Sequence, residues 1–245
     1  MDAEAMKPYG MSLLDYYEGD ILAAVEVIRD DGLVTPLPAS FFFRPAEEYE
    51  IERAALGLAR GRVLDVGAGT GVHSMFLQEK GLEVCAIDIS PEAIQVMQGR
   101  GVIDVRLADV MSFAEGKFDT MLMMGHGIGM AENLSGLDQF LAHARTLLRP
   151  GGQILITSLD VRVTSEPINL SYQKRNDESG HYIGETRMRF KYRDVVGPFL
   201  TWLHIDPKTL TKHAQKFGWH CEVIRMEKDG NYVARLCLEI PPAAS

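Results

Sequence analysis

The run Arg62–Leu77, RVLDVGAGTGVHSMFL, joins an apolar strand that ends near an acid, glycines at alternate positions and the start of a helix. Glycines there permit a tight turn and let the backbone approach a ligand closely. In an open parallel sheet, ligands bind beyond the carboxyl ends of the strands, and the exit of the first strand is the usual place. The turn reads Gly67-Ala68-Gly69-Thr70-Gly71, and Val72 stands where a dinucleotide-binding turn has its third glycine. Asp65, two residues before Gly67, would repel a pyrophosphate and favour a ligand with a positive end. Asp88, in AIDIS, ends the second strand, and a carboxylate there can accept both hydroxyls of a ribose, with Ile89 beside it. Asp109 and Val110, in LADV, end the third strand. His126, in MMGHGIGM just past the fourth strand, is the candidate general base or orienting group, preceded by Met124 and Gly125.

These residues need a frame, and the chain supplies one. Strand patterns at RVLDV, LEVCAID, IDVRLAD, FDTMLMM and QILITSLD alternate with helical runs, which implies a parallel sheet covered by helices on both faces. Ser90 with Pro91, and Asp206 with Pro207, read as helix starts. The tail breaks the alternation: WHCEVIRME, the turn KDGN and YVARLCLEI predict two antiparallel strands. Ahead of the core, residues 20–30 predict a helix capped by Asp20, and Pro45 opens a second helix reaching about Ala59. The chain then divides into an N-terminal helical cap (1–60), a core (61–161), an insertion (162–204) and a C-terminal helix with two strands (205–245). The insertion predicts a β-hairpin turning near residues 196–198. Within it Arg187, Arg189, Lys191 and Arg193 share one strand face, opposite Met188, Phe190 and Tyr192. That cationic face suits either an acidic substrate or a solvated edge, and the second reading is favoured.

Composition narrows the classes. The chain has 245 residues and a net charge of -9, which disfavours general nucleic-acid binding. Three widely spaced cysteines form neither a disulfide framework nor a zinc site. A reducing, cytoplasmic setting is expected, with neither a signal peptide nor a membrane span.

Five segments in order, LDVGAGTG, AIDIS, LADV, FDTMLMMGHG and LLRPGGQILI, resemble the class I S-adenosylmethionine-dependent methyltransferases over about residues 62–157. The resemblance implies a Rossmann-like, doubly wound, seven-stranded and mostly parallel sheet with one antiparallel strand near the C-terminus. It also implies S-adenosylmethionine as cofactor and a small-molecule methyl acceptor. In that frame Asp65, Gly67, Ala68, Gly69 and Gly71 serve the amino-acid end of the cofactor, Asp88 the ribose, and Asp109 with the Val110 N–H the adenine. Arg44 is a candidate for the cofactor carboxylate, and Tyr16, Tyr17 and Phe42 for its cover. The hallmarks of nucleic-acid amino-methylating, cytosine-carbon and metal-dependent catechol enzymes are missing, so no metal is expected. A non-catalytic cofactor-binding module and, against the evidence of Val72, a nicotinamide-dependent oxidoreductase are the alternatives.

Overall fold

Residues 1–238 are described by the structure, a computed structural model. The chain opens with helix α1 (Ala3–Tyr17), strands β1 (Ala24–Arg29) and β2 (Val34–Pro38), and helix α2 (Glu50–Leu56). The alternating part follows: β3 (Arg62–Val66), α3 (Val72–Glu79), β4 (Glu83–Asp88), α4 (Pro91–Arg100), β5 (Asp104–Leu107), β6 (Phe118–Met123), α5 (Leu134–Leu147) and β7 (Leu148–Leu159). After α6 (Pro167–Glu178) come β8 (Glu185–Tyr192), β9 (Val195–Val196) and β10 (Leu200–Leu203), then α7 (Pro207–Lys216), β11 (Trp219–Met226) and β12 (Asn231–Leu238).

Local chemistry sets the helix ends. The Ser90 hydroxyl accepts from the Ala93 N–H at 3.2 Å with Pro91 in the first turn, and Gly101 closes α4 at φ 91°. Asp206 accepts from the N–H groups of Lys208 and Thr209 and starts α7. Asn133 starts α5, whose buried Leu137, Phe140, Leu141, Ala144 and Leu147 recur at helical spacing and form one apolar stripe.

Seven strands pair in the order β11-β12-β7-β6-β3-β4-β5. The pairs from β7 to β5 are parallel, while β12 runs antiparallel to both β7 and β11. This is the Rossmann-like sheet expected from the sequence, with its single reversed strand. Alternation along the central strands divides two layers of core. Leu64, Met121 and Ile154 pack toward α5 and α7, and Val63, Leu122 and Leu155 pack toward α2 and α3. The last two residues of the expected final strand, Glu239 and Ile240, lie outside the described residues.

A second, antiparallel sheet of five strands has the order β10-β8-β1-β2, with β9 on β8. It corrects the expected helix at residues 20–30. Val25 and Val27 of that stretch lie in β1, whose Ile28 pairs with both Val34 of β2 and Arg189 of β8. The hairpin signal was Asp31-Gly32: Gly32 turns at φ 90°, and the Asp31 carboxylate accepts two hydrogen bonds from Arg29. The second expected helix is shorter than the sequence suggested, since residues 45–49 form turns and α2 begins only at Glu50. The insertion holds antiparallel strands as expected, but Pro167 also starts α6, a polar helix whose apolar pattern is too weak to announce it. Among the described residues no helix is long and apolar enough to cross a membrane.

Trp202 of β10 lies against Gly129 in the turn after β6, where an added Cβ would stand 1.9 Å from the indole Nε1. Gly129→Ala must displace the indole, so urea denaturation should show a loss of about 1–3 kcal/mol together with a shifted tryptophan emission. Unchanged stability would mean the two sheets do not meet this closely.

Candidate functional site

The cavity lies between the two sheets. Its floor is the row of carboxyl ends and loops of the parallel strands: Asp65–Thr70 from the end of β3 into its turn, Asp88 at the end of β4 with Ile89, Asp109 and Val110 after β5, and Met124 and Gly125 after β6. Its roof is Val27 of β1, Leu37 of β2, Met188 and Phe190 of β8, and Trp202 and His204 at β10. Tyr9 of α1 and Phe42 close the side and meet edge to face at 5.0 Å.

The glycine turn is tied down by β4. The N–H groups of Gly67 and Ala68 donate to the Ile87 carbonyl at 2.9 and 3.1 Å, and the Gly69 N–H donates to Asp88 Oδ2 at 2.9 Å. Gly67 and Gly69 adopt φ of 66° and 56°, which side chains other than glycine rarely take. Gly71 does not line the cavity. A Cβ there would stand 2.7 Å from Val102 and 3.0 Å from Met97, so its glycine serves close packing under the turn rather than ligand contact.

Asp65 is buried, and its Oδ2 accepts from the Ser74 hydroxyl at 2.6 Å. Burial raises its carboxyl above the ordinary range, against the pull of His73 and Ser74. Burial likewise raises Asp88, against the N–H groups of Ser90 and Gly69. Asp109 stands at the far end, its Oδ1 accepting from the Met111 N–H at 2.9 Å and its Oδ2 from the Met1 amino group at 3.1 Å.

A charged cluster flanks the turn, in which the expected Arg44 is joined by Glu52 and His73, which the sequence did not single out. Arg44 Nη2 donates to Glu52 Oε1 at 2.7 Å, and His73 Nε2 stands 3.2 Å from Glu52 Oε2. Arg44 Nε, Glu52 Oε2 and His73 Nε2 are buried without an aligned hydrogen-bond partner. Burial alone would raise the Glu52 carboxyl, but His73 and Arg44 outweigh it and hold it below its ordinary value. Arg44 therefore lines the cavity with Nη2 committed to Glu52, Nη1 donating to the Phe41 carbonyl at 3.3 Å, and Nε without a partner.

The structure relocates two expectations, and its placement of the cationic strand face agrees with the solvated reading favoured from the sequence. The side chain of Tyr17 lies over Gly99 of α4, away from the cavity, and Tyr9 of the same helix lines it instead. His126, at φ 59°, is not among the lining residues. Its Nε2 lies 2.6 Å from Asn231 Oδ1, its N–H donates to Thr157 Oγ1, and burial lowers its basicity. Two other histidines are on the lining, His73 beside the glycine turn and His204, 78 residues beyond His126, at the roof. The cationic strand face points away from the cavity: Arg187 and Arg189 stack on Phe199, and Lys191 pairs with Glu26 at 3.0 Å. The apolar side of β8 is the side that meets the ligand space.

Fold and site together define an α/β protein that binds an extended ligand across strand ends, with a polar floor and an apolar roof. Residues 63–152 match the family described as "Methyltransferase domain". A SAM-dependent methyltransferase from Bacteroides fragilis, solved in complex with S-adenosyl-L-homocysteine, is 36% identical, with a TM-score of 0.84 and 97% of each chain covered. A ubiquinone biosynthesis O-methyltransferase of Xanthomonas oryzae pv. oryzae is 33% identical over 115 residues, 44% of this chain and 46% of that protein. A demethylmenaquinone methyltransferase of Tropheryma whipplei is 36% identical over 107 residues, 41% of this chain and 43% of that protein. The chain thus spans less than half the length of these curated relatives. It belongs to the class I S-adenosylmethionine-dependent methyltransferases.

The buried charge of Asp65 opposes folding. With its folded-state pKa raised, Asp65 contributes stability at low pH that is lost as pH rises through the ordinary carboxylate range to the raised value. Asp65→Asn keeps an oxygen for Ser74 and removes the charge, so the ligand-free variant should gain about 1–2 kcal/mol in urea denaturation at pH 7. A destabilised variant would show that the carboxylate holds the fold rather than a ligand.

Proposed function

We propose that this protein transfers the methyl group of S-adenosylmethionine to a small molecule held under the second sheet. The observation that supports this most is one continuous cavity with acids at the ends of β4 and β5 on its floor and an apolar roof above. When bound, S-adenosylmethionine supplies a methyl carbon already activated by a sulfonium, so in-line displacement by the acceptor needs little covalent help.

The residues present fit that cofactor. The Gly67–Gly69 backbone leaves room where side chains would crowd, and Asp65 beneath it suits an ammonium. Arg44, with Nε unpartnered, suits a carboxylate. Each oxygen of Asp88 accepts one N–H and retains a lone pair for a ribose hydroxyl. Asp109 takes an amino donor at the cavity's far end, as it takes the Met1 amino group here, and the Val110 N–H reads a ring nitrogen beside it. Catalysis is then mainly alignment, and holding two reactants in line can remove about 7–11 kcal/mol of barrier.

The acceptor chamber is lined by Tyr9, Phe42, Met188, Phe190 and Trp202. The names of the two curated relatives, which act in ubiquinone biosynthesis and on demethylmenaquinone, also support a small apolar acceptor. A net charge of -9 supports neither nucleic acid nor an anionic membrane as the partner.

Calorimetry with S-adenosylmethionine and S-adenosylhomocysteine, with NADH as control, tests the reading. Both S-adenosyl ligands should bind, and Asp88→Ala should weaken them about 10–100-fold, the value of losing hydrogen bonds to a charged group. Binding of NADH in their place would overturn the proposal.

A further inference from the structure

The roof contributes one ionisable side chain to the cavity, that of His204. Trp202 and His204 are two residues apart at the end of β10 and project to the same side. The His204 N–H donates to the Gly184 carbonyl at 2.8 Å, which fixes the backbone that carries the ring. Its Nδ1 is buried with no hydrogen-bond partner, and among the described residues nothing bonds the ring. With Nδ1 shut away from solvent, Nε2 is the nitrogen that can meet a ligand. The neighbouring histidine is not free in this way. The His126 ring stands 5.5 Å from that of His204, edge to face, but His126 Nε2 is committed to Asn231 Oδ1. Asn231 is oriented in turn by Asp229, to which its Nδ2 donates at 2.8 Å.

The remaining charged groups on the lining sit at the floor or beside the glycine turn. Arg44, Glu52 and His73 form one cluster there, Asp65, Asp88 and Asp109 follow the strand ends, and the Met1 amino group pairs with Asp109. The rest of the roof is apolar, made of Trp202, Met188, Phe190, Leu37 and Val27. A carboxylate or phosphate entering that space would lose its hydration with no roof cation among the described residues to meet it, since Arg187, Arg189 and Lys191 face outward.

We infer that His204, rather than His126, receives the proton of the acceptor's nucleophile, and that the acceptor is an uncharged molecule with a flat apolar body bearing an O–H or N–H. The inference rests on the methyl-transfer reading above. The lone pair of the acceptor oxygen or nitrogen forms the bond to the methyl carbon. The carbon–sulfur bond breaks, its electron pair staying on sulfur as a neutral thioether. The acceptor's proton passes to His204 Nε2 and from there to water, so one positive charge occupies the site before and after the step. Burial, with His126 alongside, lowers the His204 pKa to about 3, which keeps the ring neutral and in its accepting form beside a cationic cofactor. No protein partner fixes its tautomer, so the ring can hold a proton on Nδ1 while Nε2 accepts.

The test uses the full chain with labelled S-adenosylmethionine and four probes of one shape: 4-ethylphenol, 4-ethylaniline, 4-ethylpyridine and 4-ethylbenzoate. Label should pass to the phenol or the aniline and not to the benzoate. In His204→Phe, transfer to the protic probe should fall about 100-fold, the scale of a lost general base, while S-adenosylhomocysteine affinity is unchanged. The pyridine, which has no proton to lose, serves as the internal control, and any transfer to it should be insensitive to the substitution. His204→Asn gives a second variant of similar polarity should the phenylalanine form fail to bind S-adenosylhomocysteine. Unchanged transfer to phenol or aniline in the variants overturns the role of His204. Preferred methylation of the benzoate, or no transfer to any probe by a wild type that binds S-adenosylhomocysteine, overturns the acceptor class. Failure of the wild type to bind S-adenosylhomocysteine would overturn the methyl-transfer reading itself.

Discussion

The carboxylate of Asp88 joins two pieces of backbone. It accepts from Gly69 N–H and from Ser90 N–H, each at 2.9 Å, and so locks the glycine turn after β3 to the start of α4. The Ile87 carbonyl adds two further bonds to the turn. These contacts hold the turn's glycines in left-handed conformations, open the floor of the cavity and leave N–H groups and carboxylates facing one line. A charged group held by backbone amides in a buried setting is expensive to leave unpaired, which is why the arrangement is specific. Everything placed above the floor, from Tyr9 to Phe190, is positioned relative to that turn.

The two sheets divide the chemistry. The parallel sheet brings acids, glycines and backbone donors together because its strands end side by side. The antiparallel sheet brings apolar side chains because one of its faces must be buried and the other, with Arg187, Arg189 and Lys191, meets solvent. The result is a cavity whose polar end suits a zwitterionic nucleoside-like ligand and whose apolar end suits a flat neutral one. The buried charges of Asp65 and Asp88 are unfavourable for folding, and such burdens concentrate where a ligand will later share them.

The core was legible because its signals are local. Strand periodicity, the Ser90 and Asp206 caps, the glycine turn and the KDGN turn each act within a few residues, and the structure has the alternating sheet and the reversed β12 where they pointed. The second sheet was not legible as a sheet. β1 pairs with β8 across some 160 residues of chain, and a short apolar run such as AVEVI fits a helix or a strand until its partner is known. The Asp31-Gly32 turn was the one local signal against a helix there. The site divides in the same way. Asp65, Asp88 and Asp109 follow from strand ends. Glu52, His73 and His204 come to the cavity only through packing, and His126, which sits at the expected place in sequence, turns its ring toward Asn231. Gly71 matched a pattern for a reason other than ligand contact, the approach of Met97 and Val102.

The central claim is that the cofactor lies on the turn locked by Asp88 and beneath the second sheet. Hydrogen–deuterium exchange of the whole protein, with and without S-adenosylhomocysteine, tests it most directly. Slower exchange confined to peptides covering residues 65–71, 86–90 and 108–111, together with the roof strands β1 and β8, is the result expected. Bound S-adenosylhomocysteine that leaves the glycine turn and the end of β4 exchanging as before, or protects a different region, would contradict the account.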